Sequence, residues 1–226
     1  MNKIKKVINN TALIIVDMQN YYLLEESSYY QYFNSLQPGC LDYIINRCYN
    51  TVLPNIKHMI QFFNNFNLPV IYLRLCGIKE DRRDLHHFFK DTHDKGFLLG
   101  FPDIYPLKSS KMAQIHDDIK PRSHDTIIDK TTYSPFTSTD INTILQQMNV
   151  SKIIFSGLAT SQCVETSARD ASDRGYTVIH IEDAQADYDE LTHTSSLFSS
   201  KGVCGGIIMS TDEFFVSVEK GAIITA

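Results

Sequence analysis

The sequence has no basic excess. Its 21 Lys and Arg stand against 26 Asp and Glu, a formal net charge of -5, which offers no footprint for a phosphate backbone and excludes nucleic acid as the expected partner. It also has no CxxC pair, and its cysteines, Cys40, Cys48, Cys76, Cys163 and Cys204, are odd in number. Neither a disulfide framework nor a zinc knuckle is indicated, so the expectation is a cytoplasmic protein with reduced thiols. A long hydrophobic run is missing where a signal or anchor would sit. In MNKIKKVINNTALIIVDMQ the apolar stretch runs only from Ala12 to Val16 before Asp17, too short for a signal core or a membrane span, and it reads as a buried strand. Internal repeats, linkers and low-complexity tracts are likewise absent, and 226 residues suit one α/β domain with a substantial core.

What is present is an alternation of short apolar runs with longer amphipathic stretches, the pattern of strands and crossover helices in a mostly parallel sheet. Strands are predicted at Ala12–Val16, Val70–Leu75, Thr126–Ile128, Lys152–Ser156, Thr177–Ile181 and Gly206–Met209. A helix is predicted from Cys40 to Phe66, where Ile44, Ile45, Cys48, Val52, Ile56, Met59, Ile60 and Phe63 recur at three- and four-residue steps and Pro54 marks a bend or break. Further helices are predicted at Asn142–Met148, Cys163–Arg174, Glu190–Ser200 and Asp212–Lys220. The predicted fold is a three-layer, doubly wound, Rossmann-like sandwich around a mainly parallel six-stranded sheet. Gly77–Ser123, long, charged and punctuated by Gly and Pro, reads as a lid or binding loop. Tyr21, Tyr22, Tyr29, Tyr30 and Tyr32 cluster after the first strand, as the lining of a pocket or interface or as a partly buried surface helix.

In such a sheet, ligands bind beyond the carboxyl ends of the strands. Asp17 follows the first strand, Lys130 the third, and Cys163 opens the helix after the fourth. Singly, each has a plain reading: a capping carboxylate, a solvated lysine, a small buried hydrophobe. Together they bring a base, a cation and a thiol to one sheet edge. With Thr160 or Ser161 as N-cap, the Cys163 thiol falls in the first helical turn, where the helix end and Lys130 favour thiolate.

These segments resemble the isochorismatase-like cysteine hydrolases. The resemblance runs through ALIIVDMQN (Ala12–Asn20), LPVIYLR (Leu68–Arg74), DKTTYSPF (Asp129–Phe136), GLATSQCVETSARDASDRGY (Gly157–Tyr176) and IEDA (Ile181–Ala184). It implies a catalytic triad of Asp17, Lys130 and Cys163, a cis Leu158–Ala159 peptide, and an oxyanion hole formed by the N–H groups of Ala159 and Cys163. It also implies a homodimer or homotetramer acting on a small-molecule amide or ureide. Isochorismate hydrolases lack the cysteine, so its presence points to C–N bond hydrolysis. GLATSQCVETSARDA looks most like the amidohydrolases of ureidoacrylate, biuret and N-carbamoyl compounds, which commonly have Asn where this chain has Ser161.

Nicotinamidase-like members bind a metal through an Asp-x-His after the second strand. Here that place reads YLRLCGIKEDRRDLHH, while His86, His87, Asp91 and His93 lie further on. They can in principle collect a metal, but are read as exposed loop residues; the chemistry is taken as metal-independent, with no cofactor. Gln19, Asn20, Arg74, Tyr133 and Gln162 are expected substrate contacts because they adjoin triad positions. Arg74 can pair with a substrate carboxylate or bridge to Glu182 or Asp183. Glu165 with Arg169, and Asp170 with Arg174, are expected to pair along an outer helix face, and KEDRRD (Lys79–Asp84) to be solvated. A metal-binding nicotinamidase and a non-catalytic scaffold on the same fold remain the rival readings.

Overall fold

The computed structural model describes residues 2–202 and 206–221; Cys204 lies outside them. Six strands form one sheet: β1 (Thr11–Val16), β2 (Val70–Leu75), β3 (Thr126–Lys130), β4 (Lys152–Leu158), β5 (Thr177–Ala186) and β6 (Ile207–Met209). Their order is β3-β2-β1-β4-β5-β6, and every pairing is parallel.

β1 explains the layering. All six of its residues are buried, because alternate side chains enter two different cores: Ala12, Ile14 and Val16 on one face, Leu13 and Ile15 on the other. A strand apolar on both faces requires helices above and below it. One face is covered by Cys48, Val52, Ile56, Met59 and Phe63 from the long helical segment. The other is covered by Ile141 and Leu145 of the helix Ile141–Gln147 and by Val164, Ala168 and Ala171 beside β4.

The bend foreseen at Pro54 appears as a π-helical turn, Cys48–Val52, between the helices Asp42–Arg47 and Leu53–Asn65. Proline has no N–H to give the preceding turn, and a widened turn absorbs the mismatch. The 77–123 segment contains a helix, His87–Leu98, and two short 3-10 turns. A single bridge, Gln19 with Ile115, pins it to the body, and another, Gly77 with Leu107, closes the segment on itself. Within KEDRRD, Arg82 departs from the solvated expectation. It is buried, paired with Asp103 and donating to the Tyr105 carbonyl. The pairs Glu165–Arg169 and Asp170–Arg174 form as expected, and Glu165 also accepts from Ser196 and Ser199 of the helix Glu190–Ser200. Among the described residues no helix is long and apolar enough to cross a membrane.

Candidate active site

With β1 at the centre, the chain winds outward through β2 and β3 on one side and β4, β5 and β6 on the other, so a crevice opens at the carboxyl ends of β1 and β4. Asp17 sits there with a left-handed φ of 51°, a region Asp tolerates better than most residues. At the end of β4, Gly157 has φ 102°, and a Cβ on it would lie 2.1 Å from the Val16 carbonyl oxygen. Glycine is therefore required where β4 passes closest to β1. It lets β4 run into a π-helical turn, Thr160–Val164, continued by the helix Glu165–Asp173.

That turn differs from the expected capped α-helix. Ala159 holds the N-cap position with no side-chain cap; instead the Asp187 carboxylate accepts from the Ser161 N–H at 2.6 Å and the Tyr188 N–H at 2.9 Å. Thr160 is used elsewhere, its hydroxyl 2.8 Å from His193 Nδ1. The expected cis Leu158–Ala159 peptide is also corrected: the bond is trans. Gly157 supplies the change of direction, so no non-proline cis bond, costing about 3 to 4 kcal/mol, is needed.

Lys130 ends β3, and β2 lies between it and β1; its side chain reaches past β2 into the crevice. Nζ donates to Asp17 Oδ2 at 2.7 Å, to the Thr132 carbonyl at 3.2 Å and to Cys163 Sγ at 3.2 Å. All three ammonium protons are thus used. Lys130, Asp17 and Cys163 are 0%, 1% and 3% exposed. Asp17 Oδ1 is buried without a hydrogen-bond partner, which leaves one carboxylate oxygen free to accept a proton.

Burial raises the Asp17 pKa, an effect that Lys130 only partly offsets. Burial also works against the Lys130 ammonium, but the Asp17 carboxylate and the Cys163 sulfur outweigh it and hold the charge. Burial pushes the Cys163 thiol up as well, against the pull of Lys130. Burial and the neighbouring Asp17 carboxylate thus favour the neutral thiol, in opposition to the thiolate expected from the helix end and Lys130.

A narrow well of about 20 Å³ adjoins Cys163, walled by Tyr22, Tyr29, Leu158, Ala159, Gln162 and Tyr188. Through Tyr22, Tyr29, Leu41, Gln162 and Tyr188 it shares walls with a wider cavity of about 590 Å³ that is also lined by Phe33, Phe88 and Tyr105.

Of the expected substrate contacts, Gln162 lines this cavity. Tyr133 packs against His86 and Phe89, and its hydroxyl is raised by burial and by Cys163. The others are engaged elsewhere. Gln19 is buried, donating to the Leu75 and Ala113 carbonyls and accepting from the Leu75 N–H. Asn20 donates to the Lys111 carbonyl and faces a separate hollow. Arg74 pairs with Asp129 and donates to Gln114, not to Glu182 or Asp183. Of the loop residues, His87 and Asp91 are exposed as expected, but the other two histidines are engaged. His93 is buried and accepts from the Tyr105 N–H, while His86 caps its helix by accepting from the Phe88 N–H. Among the described residues no three His, Cys, Asp or Glu side chains gather as a metal would require.

Sequence reasoning missed the structural residues Asp187 and His193 and the lining residues Leu41 and Tyr188. Asp187 and Tyr188 directly follow β5, and the rule that singled out Asp17 applies equally there. Of the tyrosine cluster, Tyr22 and Tyr29 line the cavity, whereas Tyr21 is packed inside and donates to the Leu75 carbonyl.

Known proteins resemble the chain over most of its length. The isochorismatase domain family matches residues 11–213. The ureidoacrylate amidohydrolase RutB of Acinetobacter baylyi is 31% identical over 208 residues, 87% of this chain and 79% of that protein. Nicotinamidase 3 of Arabidopsis thaliana is 26% identical over 192 residues, 83% of this chain and 79% of that protein. The crystal structure of a cysteine hydrolase from Pseudomonas syringae pv. phaseolicola superposes with a TM-score of 0.74 at 25% identity, covering 98% of this chain and 96% of that one. By sequence and by fold, the chain belongs to the isochorismatase-like hydrolase family.

Proposed function

We propose that the protein hydrolyses the C–N bond of a small amide or ureide through a covalent Cys163 intermediate. The observation that carries this reading is Lys130 Nζ, placed 2.7 Å from Asp17 and 3.2 Å from Cys163 in a buried crevice. A buried cation shared by a carboxylate and a sulfur stabilises whichever of the two bears the negative charge. It therefore lowers the cost of moving the proton between them.

As substrate enters, the open Asp17 oxygen takes the Cys163 proton and the sulfur bonds to the carbonyl carbon, whose π electrons move to oxygen. The N–H groups of Ala159 and Cys163 are assigned to hold that oxyanion. Collapse breaks the C–N bond, and protonated Asp17 gives its proton to the departing nitrogen, releasing ammonia or an amine. Asp17 then deprotonates a water, which attacks the thioester or thiocarbamate carbon; the C–S bond breaks and the thiol regains its proton. In this scheme Tyr133 and Gln162 contact substrate, and residues 77–123 act as a lid through Phe88 and Tyr105. A homodimer or homotetramer belongs to the same reading. Tyr29 and Tyr32 turn inward, so the exposed apolar side chains open to assembly lie elsewhere, with Phe97, Leu98 and Leu99 in one run and Leu191 and Phe198 on another helix.

The test is ammonia release across ureides and primary amides, with wild type and Cys163→Ser side by side and intact mass recorded during turnover. Ammonia release with wild type alone, and an acyl adduct on Cys163, are expected. Equal turnover by the serine variant, or no turnover of any compound, sinks the reading.

A further inference from the structure

We infer that the substrate carries its amide on an uncharged, apolar or aromatic body, and that carboxylate-bearing amides are poor ligands. This rests on the amidohydrolase reading and narrows it by charge.

The well beside Cys163, about 20 Å³, has room for about one water-sized group. It therefore takes no more than one end of the amide head, its NH2 or its oxygen, and leaves the rest of the molecule in the cavity of about 590 Å³. The walls there are mostly rings and apolar side chains, among them Tyr22, Tyr29, Phe33, Phe88 and Tyr105, with the neutral amides of Gln37 and Gln162. The charged residue among the lining is Asp189, an acid. A substrate carboxylate would lose its water without gaining a cation, and burying an unpaired carboxylate is costly.

The nearby cations are committed elsewhere. Lys130 has given its three protons to Asp17, Thr132 and Cys163. Arg74 is held by Asp129, Arg82 by Asp103, and Arg47 donates to His193, Gln185 and Glu182. The tyrosine hydroxyls are only neutral donors, and one of the two protons of Tyr29 and Tyr188 is spent on the other hydroxyl, 2.8 Å away. The same phenols report the local cost of negative charge: burial raises the pKa of Tyr22, Tyr29 and Tyr105 well above the ordinary value and that of Tyr188 to about 12. Apolar and aromatic bodies, by contrast, gain ring contacts and lose ordered water.

Matched pairs isolate the charge: benzamide against 4-carbamoylbenzoate, and butyramide against succinamate. Their dissociation constants are measured by calorimetry on Cys163→Ser near neutral pH, and their KM values on wild type by ammonia release. The neutral member of each pair is expected to bind more tightly by roughly tenfold or more. Equal or tighter binding of the carboxylates, or no binding of either neutral amide, overturns the inference. Neutral amides that bind Cys163→Ser as expected but release no ammonia with wild type leave the inference standing and count against the amidohydrolase reading instead.

Discussion

Lys130 is the residue on which the site's electrostatics turn. Its ammonium is fully buried and its three protons go to a carboxylate, a carbonyl and a sulfur. Lys130→Met retains a long apolar stem but leaves Asp17 buried beside nothing positive. Removing one partner of a buried pair typically costs about 3 to 5 kcal/mol, a loss that protonation of Asp17 limits. The expected result in urea unfolding is a lower midpoint, accompanied by a fall in ammonia release of about a hundredfold or more, because a protonated Asp17 no longer serves as base. A variant with wild-type turnover would remove Lys130 from the mechanism. The meeting of Asp17, Lys130 and Cys163 was legible in the sequence because each follows an apolar run and the carboxyl ends of parallel strands share one edge. Gln19 and Arg74 obeyed the same rule and were misread. Adjacency along the chain does not reveal whether a side chain is already satisfied by carbonyls, as Gln19 is, or by Asp129, as Arg74 is.

At the scale of the element, the passage from β4 into the π-helical turn is what presents Cys163. Gly157→Ala would drive a methyl to 2.1 Å from the Val16 carbonyl oxygen at φ 102°, a clash of backbone with backbone that no rotamer relieves. The expected outcome is insoluble protein, or a melting midpoint lowered by several degrees with activity lost, read by differential scanning fluorimetry and ammonia release. The turn is braced by His193. Arg47 donates to His193 Nε2 at 3.0 Å, which leaves Nδ1–H to donate to Thr160. Burial, reinforced by Arg47, lowers the His193 pKa from 6.5 to about 4. Between those values the unfolded chain holds a proton that the folded protein refuses. Its contribution to stability is therefore full above 6.5 and is lost as the pH falls toward about 4. The urea midpoint should drop over that interval, and His193→Gln should flatten the drop; an unchanged slope would show that other groups set it. The strands were readable because their runs are apolar on both faces. The π-helical turns at Cys48–Val52 and Thr160–Val164 were not, since a turn of five residues and one of four use the same side chains.

For the molecule as a whole, the site is a product of the finished sheet. Asp17 follows β1, Lys130 ends β3 and Cys163 lies in the turn after β4, so no one of these segments contains the candidate site. Lys130 arrives from an edge strand whose end is tied to the centre by the triad itself, while Arg74 on β2 holds Asp129 on β3. Activity and far-UV circular dichroism should therefore be lost in the same urea transition. Activity lost at clearly lower urea would mean that β3 detaches first. The cavity was the least legible part of the chain, because its walls come from several connections whose meeting depends on the whole fold. The tyrosine cluster foretold only Tyr22 and Tyr29.

That aromatic wall has an optical side. The chain has 12 tyrosines and no tryptophan, so its intrinsic emission comes from tyrosine alone, and Tyr22, Tyr29, Tyr105 and Tyr188 all border the cavity. A molecule that fills the space between them changes the surroundings of a third of the emitters, and the hydroxyl pair of Tyr29 and Tyr188 is a direct route for quenching. The protein thus carries a built-in, label-free reporter of when its own chamber is full.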